Sequence, residues 1–128
     1  MTDPVLDQIY EYCRYNAPVV GEDRELSFDG VLCILLYRGL LKVLPVLQTL
    51  TDSDPQMIKL RRVDIVNQLV DYAINKDLNE NDAFNCAGLI ARCITSDNIE
   101  SLVSELQDIE EKRKLKTEPL HDLEASLS

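Results

Sequence analysis

The stretch from Phe28 to Leu50, FDGVLCILLYRGLLKVLPVLQTL, constrains this chain more than any other feature. Almost every position in it is apolar, and after Asp29 its only charges are Arg38 and Lys42. Leaving such a surface in water costs about 25 cal/mol per Å². The rest of the chain must therefore cover it. A chain of 128 residues is one domain by length and buries roughly two-thirds of its unfolded surface.

A membrane could also take up an apolar run of this length, and Val31 to Leu50 is long enough to span one. Arg38 and Lys42 stand near its centre, where each costs roughly 2.5–3.5 kcal/mol on insertion scales, and Pro45 and Gln48 add to the cost. The two cations are four residues apart and share one narrow stripe of a helix. A central bundle helix with one solvent-facing edge has that pattern. No membrane partner is expected.

The flanking segments read as helices. Val5, Ile9, Tyr12 and Cys13 give an apolar face to a first helix from about Asp3 to Asn16. Thr2 or Asp3 is its expected cap, with Pro4 at the first helical position. Val19 to Leu26, with Gly21, Glu22 and Asp23, reads as a loop, and Ser27 as the cap of the second helix. Gly39 and Pro45 leave open whether the apolar segment is one kinked helix or two short ones. Ser53 or Asp54, followed by Pro55, opens a third segment that runs to about Asn75. Its β-branched residues would suit a strand, but the spacing of Val63, Val66, Val70, Ala73 and Ile74 is helical.

Lys76 to Asn79 reads as a turn, with Asn79 and Asp82 as a capping pair. The helix Glu80 to Ile94 is rich in small residues, among them Ala83, Cys86, Ala87, Gly88 and Ala91, so it is expected in the interior. Ser96 or Asp97 is the expected cap of a last helix carrying Ile99, Leu102, Val103, Leu106 and Ile109. Its acids come first and its bases last, as the helix dipole favours. Thr117-Glu118-Pro119 reads as its stop.

These readings give an all-α fold: a compact bundle of five to six helices over residues 1–116, with a flexible, disordered polar tail at 117–128. The succession of helices is also like a fragment of a helical-repeat solenoid of armadillo or HEAT type, in pattern and not in motif. No repeat at a fixed period supports a true array.

Composition narrows the function. The net charge is −10, with 5% aromatic residues and no tryptophan, so no nucleic-acid partner is expected. The one histidine, His121, lies in the tail, and Gly21, Gly30, Gly39 and Gly88 form no phosphate loop. No enzyme activity and no cofactor is expected. Cys13, Cys33, Cys86 and Cys93 lack zinc-ligand spacing and sit in apolar patterns. They read as buried reduced thiols in an intracellular protein, cytoplasmic or nuclear, although cross-helix disulfides are compatible with four cysteines.

Two basic clusters stand out in this acidic chain. Lys59, Arg61 and Arg62, with Arg38 and Lys42, are the candidate partner-binding residues, able to grip an acidic peptide or a phosphate. The competing reading is a solvated edge pairing with Asp54 and Asp64. Lys112, Arg113, Lys114 and Lys116 fit a nuclear-import signal or a basic helix end. Leu115-Lys116-Thr117-Glu118 resembles the apolar-lysine-any-acid pattern of ubiquitin-like modifier conjugation, which makes Lys116 a candidate modification site. Leu120, Leu123 and Leu127 have the spacing of a short amphipathic helix.

The function expected is therefore non-enzymatic: an adaptor or scaffold that binds a partner protein's helix or peptide in an inter-helix groove. The alternative is a self-association domain, a homodimer burying Phe28–Leu50.

Overall fold

The computed structural model describes residues 4–17 and 22–127, with side chains described over 4–17 and 28–114. It is all-helical. Helix α1 spans Val5–Tyr15, α2 Glu22–Ile34, α3 Leu40–Thr49, α4 Pro55–Asn75, α5 Glu80–Cys93 and α6 Ile99–Leu127. A π-helical turn, Leu35–Gly39, joins α2 to α3 without a break. The apolar segment is thus a single rod, which answers the question that Gly39 and Pro45 left open.

The π turn follows from the sequence pattern. Along the rod the buried residues fall in pairs at a strict interval of four: Val31 and Leu32, Leu35 and Leu36, Gly39 and Leu40, Val43 and Leu44, then Leu47. An α-helix turns about 100° per residue, so a four-residue interval drifts about 40° per step. The Leu40 N–H donates to the Leu35 carbonyl, five residues back, and this wider turn returns part of the drift. The apolar pairs stay on one side. Gly39 also lets α4 approach closely: a Cβ there would lie 3.0 Å from Leu69 Cδ2 and 3.2 Å from Leu35 Cδ2.

The rod packs against every other helix: α2 against α1 and α5, the π turn against α4 and α5, and α3 against α4 and α6. Leu32, Leu35, Leu36, Leu40, Val43 and Leu47 are wholly buried. By length and composition Phe28–Thr49 could cross a membrane, but here the bundle's own helices cover its apolar stripe. One face of helix α5, carrying Ala83, Cys86, Ala87 and Ala91, packs against α1, α2 and α4 as its small residues suggest, while its other face is exposed and not interior.

Several local readings need correction. Pro4 is the N-cap of α1 and not its first helical residue, and Leu6, not Tyr12, completes the buried face. The caps expected at Thr2 or Asp3 lie outside the described residues. Helix α2 begins at Glu22, so Ser27 lies inside it. The run Glu22-Asp23-Arg24-Glu25-Leu26 looks loop-like by charge, yet it holds mostly good helix formers with acids in the first turn. Ser96 and Asp97 form the turn before α6, and Asn98 ties that turn together. Its Oδ1 accepts from the Thr95 N–H at 2.9 Å, and its Nδ2 donates to the Cys93 carbonyl at 2.6 Å.

Other ends match expectation. Asp54 caps α4, accepting from the Met57 N–H at 2.9 Å, with Pro55 as the first helical residue. Asn79 Oδ1 accepts from the Asp82 N–H at 3.0 Å. The turn from α4 to α5 places Asp77 at φ 57°, with the Leu78 N–H donating to the Ala73 carbonyl and the Asp77 N–H to that of Ile74. The α6 backbone is helical past the 116/117 boundary to Leu127. Side chains from Leu115 onward lie outside the described residues, and with them the expectations for Lys116 and for the tail.

Candidate functional site

Helix α4 carries apolar residues on two stripes. Ile58, Ile65, Leu69 and Ala73 face the core, while Leu60 and Val63 point outward and are 70% and 63% exposed. Of the face expected to be buried, Val70 and Ala73 lie in the core and Val66 is half-buried, whereas Val63 and Ile74 are exposed. Helix α5 has the same double character. Opposite its small-residue stripe, Phe84, Gly88 and Arg92 recur every four residues and face outward.

The two outward stripes meet in an open groove of about 340 Å³, lined by Arg62, Val63, Val66, Asn67, Phe84, Gly88, Ala91 and Arg92. An adjoining hollow of about 440 Å³ shares Val66, Phe84, Gly88 and Arg92 and extends toward Asn16, Asn85 and Leu89. Gly88 forms open floor, since a Cβ there would meet nothing within 4 Å. Phe84 is 59% exposed. Among the described residues no carboxylate lines either concavity, although the chain's net charge is −10.

Two of the cations singled out from the sequence are engaged by the chain's own groups. Arg61 Nε pairs with Asp64 Oδ2 at 2.7 Å within α4. Arg62 Nη2 donates to the Ile94 carbonyl at 2.9 Å and so caps the C-terminal end of α5. Its Nε is buried with no hydrogen-bond partner among the described residues. Arg38, Lys42 and Lys59 are exposed. The neighbouring Gly39 lies against Leu69 and Tyr72. Those residues are about 10–20 Å along α4 from the Lys59–Arg62 run. Of the five cations only Arg62 reaches the groove.

Phe84, Gly88 and Arg92 were not distinguished as a site by the sequence. Their four-residue spacing opposite the stripe of small residues was the available signal.

The thiols occupy two regions. Cys86 is buried, and burial together with the charges of Asp82 and Asp29 pushes its pKa up to about 12. Cys13 of α1 is buried and Cys93 of α5 is half-buried. The neighbouring Cys93 thiol and burial raise the Cys13 pKa. The neighbouring Cys13 thiol and the Arg62 charge lower that of Cys93. On the other side of α1, Tyr10 donates to Asp29 Oδ1 at 2.6 Å, and Arg14 Nε lies 3.6 Å from the same oxygen. That cluster pins α1 to α2. Among the described residues no three His, Cys, Asp or Glu side chains converge to hold a metal ion.

The chain matches no family model, no curated protein and no solved structure.

Proposed function

We propose that this domain is a protein-interaction module whose α4–α5 groove receives an apolar anchor of a partner helix or peptide. One observation carries the reading: Val63 and Phe84, both large and apolar, stand more than half exposed on facing walls of a groove with a bare glycine floor. Apolar residues on a monomer's surface are ordinary when scattered, but a contiguous apolar trough marks a contact site. An amphipathic helix would present anchors at i, i+3, i+4 and i+7 to such a trough. Arg92 is exposed at one end and has no ion-pair partner among the described residues. It favours a partner with a carboxylate beside its apolar anchor. The free thiols suit a reducing compartment, cytoplasmic or nuclear.

The self-association alternative has less support, because the rod's buried residues pack against the chain's own helices.

The test is a nitrogen-15 NMR titration with a panel of amphipathic helical peptides that carry an acidic residue next to the anchor. Shift changes should cluster at Val63, Val66, Phe84, Gly88 and Arg92. Phe84→Ala should weaken binding by about 30-fold, the effect of a central anchor residue. Shift changes centred on Arg38 and Lys42 instead would overturn this assignment.

A further inference from the structure

We propose that the occupant of the α4–α5 groove is the C-terminal end of α6, residues 120–127, of a second copy of this chain, and that two copies exchange these segments. The proposal rests on the groove reading above and names its partner; the contact does not use the Phe28–Leu50 surface.

The match is chemical first. Val63, Phe84 and Gly88 make the groove apolar, and its two charged residues, Arg62 and Arg92, are both positive. Neither charge is neutralised from within. Arg62 donates to a carbonyl and leaves its Nε without an acceptor, and Arg92 has no ion pair among the described residues. In the sequence, Leu120, Leu123 and Leu127 are spaced three and four apart and share one face of a helix. Glu124 follows Leu120 by four residues and precedes Leu127 by three, so it borders that face. Glu118 and Asp122 add to the negative charge, and no Lys or Arg follows Lys116. A row of apolar anchors with a carboxylate at its edge is what this groove favours. The lengths agree too. Phe84 to Arg92 and Leu120 to Leu127 each cover two turns of helix, about 10–12 Å.

Geometry then selects a second copy over the chain's own segment. Helix α6 packs on α1 and α3 and is helical without a break to Leu127. It begins beside the groove, where Asn98 lines a hollow with Arg92. At about 1.5 Å per residue, Leu120 lies about 33 Å and Leu127 about 43 Å along the helix from Asn98. The groove extends only about 12 Å from Arg92 to Phe84. While α6 stays helical, its end therefore cannot return to the groove of its own chain. Exchange of the same segment in both directions closes a two-fold pair.

The experiment measures the mass of the full chain by sedimentation equilibrium from about 5 to 500 µM, a range suited to a small contact. A monomer–dimer equilibrium is expected. Leu123→Ser and Phe84→Ala should each weaken it by about tenfold or more. Over the same range the nitrogen-15 spectrum of the wild type should shift at Val63, Phe84, Gly88 and Arg92, a result that needs no variant. A mixed sample then locates the contact. Labelled Leu123→Ser chain, with its groove intact, is mixed with unlabelled Phe84→Ala chain, with its tail intact. The labelled groove residues should shift, and adding Glu124→Arg to the unlabelled chain should reduce the shifts. A wild type that stays monomeric, a dimer that neither substitution weakens, or a mixed sample without groove shifts would each overturn the proposal. The amphipathic peptides of the preceding test separate the two readings. Groove shifts with those peptides but none in the mixed sample strike only the tail as occupant, whereas no groove shift in either strikes the groove itself.

Discussion

The Glu105 carboxylate of α6 accepts the Val5 N–H of α1 at 2.7 Å, and its second oxygen accepts the Leu6 N–H at 3.1 Å. Helix α1 has no side-chain cap of its own, because Pro4 stands at the N-cap with no acceptor side chain. A residue nearly a hundred positions away performs the task. The negative charge also faces the positive end of the helix dipole. Glu105→Ala should cost about 2 kcal/mol, as expected for charge-assisted bonds to backbone donors left unpaired. Urea unfolding measures the loss. Amide exchange at Val5 and Leu6 should accelerate more than at Cys86 in the core of α5.

Gly30 and Gly39 make a matched pair on one rod. Gly30 is exposed and a Cβ there meets nothing within 4 Å, so Gly30→Ala should stabilise by about 1 kcal/mol through helix propensity. A Cβ on Gly39 would lie 3.0 Å from buried Leu69, so Gly39→Ala should destabilise by about 1 kcal/mol despite the same gain. Equal shifts of the two melting temperatures would contradict the close α4 approach.

Asp77 holds φ 57° in the turn after α4, a conformation that costs a side-chain-bearing residue about 1 kcal/mol or more. Asp77→Gly should raise stability by about that amount. Denaturant midpoints with unchanged slopes would confirm it.

Alkaline pH should unfold the domain. Tyr10, Tyr37, Cys13, Cys33 and Cys86 all have raised pKa values, so the folded chain holds these protons more tightly than the unfolded chain does. For Cys86 the stabilisation is complete below the ordinary value of 9.0 and is lost as pH rises toward about 12. Cys86→Ala should flatten that part of the stability profile. Cys93 runs the other way, and iodoacetamide should label it at lower pH than Cys33 or Cys86.

The sequence alone determined the helical class, because spacings of three and four run through every segment, and it singled out the central rod, because nothing else in the chain needs so much cover. It also determined the Asp54–Pro55 and Asn79–Asp82 helix starts, which depend on side chains within one turn of the bond they make. The tertiary structure decided which of two apolar stripes each helix buries. Periodicity puts Val63 on the buried face, and only the position of α5 and the rod sends Ile65 inward and leaves Val63 on a groove wall. It decided the roles of the cations too. Arg61 found Asp64 three residues away, a pairing visible in the sequence, whereas Arg62 found the Ile94 carbonyl across an interface. The Glu105 cap is of the same kind: local spacing fixes helices and their ends, but contacts between residues distant in the chain exist only once the rod has drawn the other helices around it.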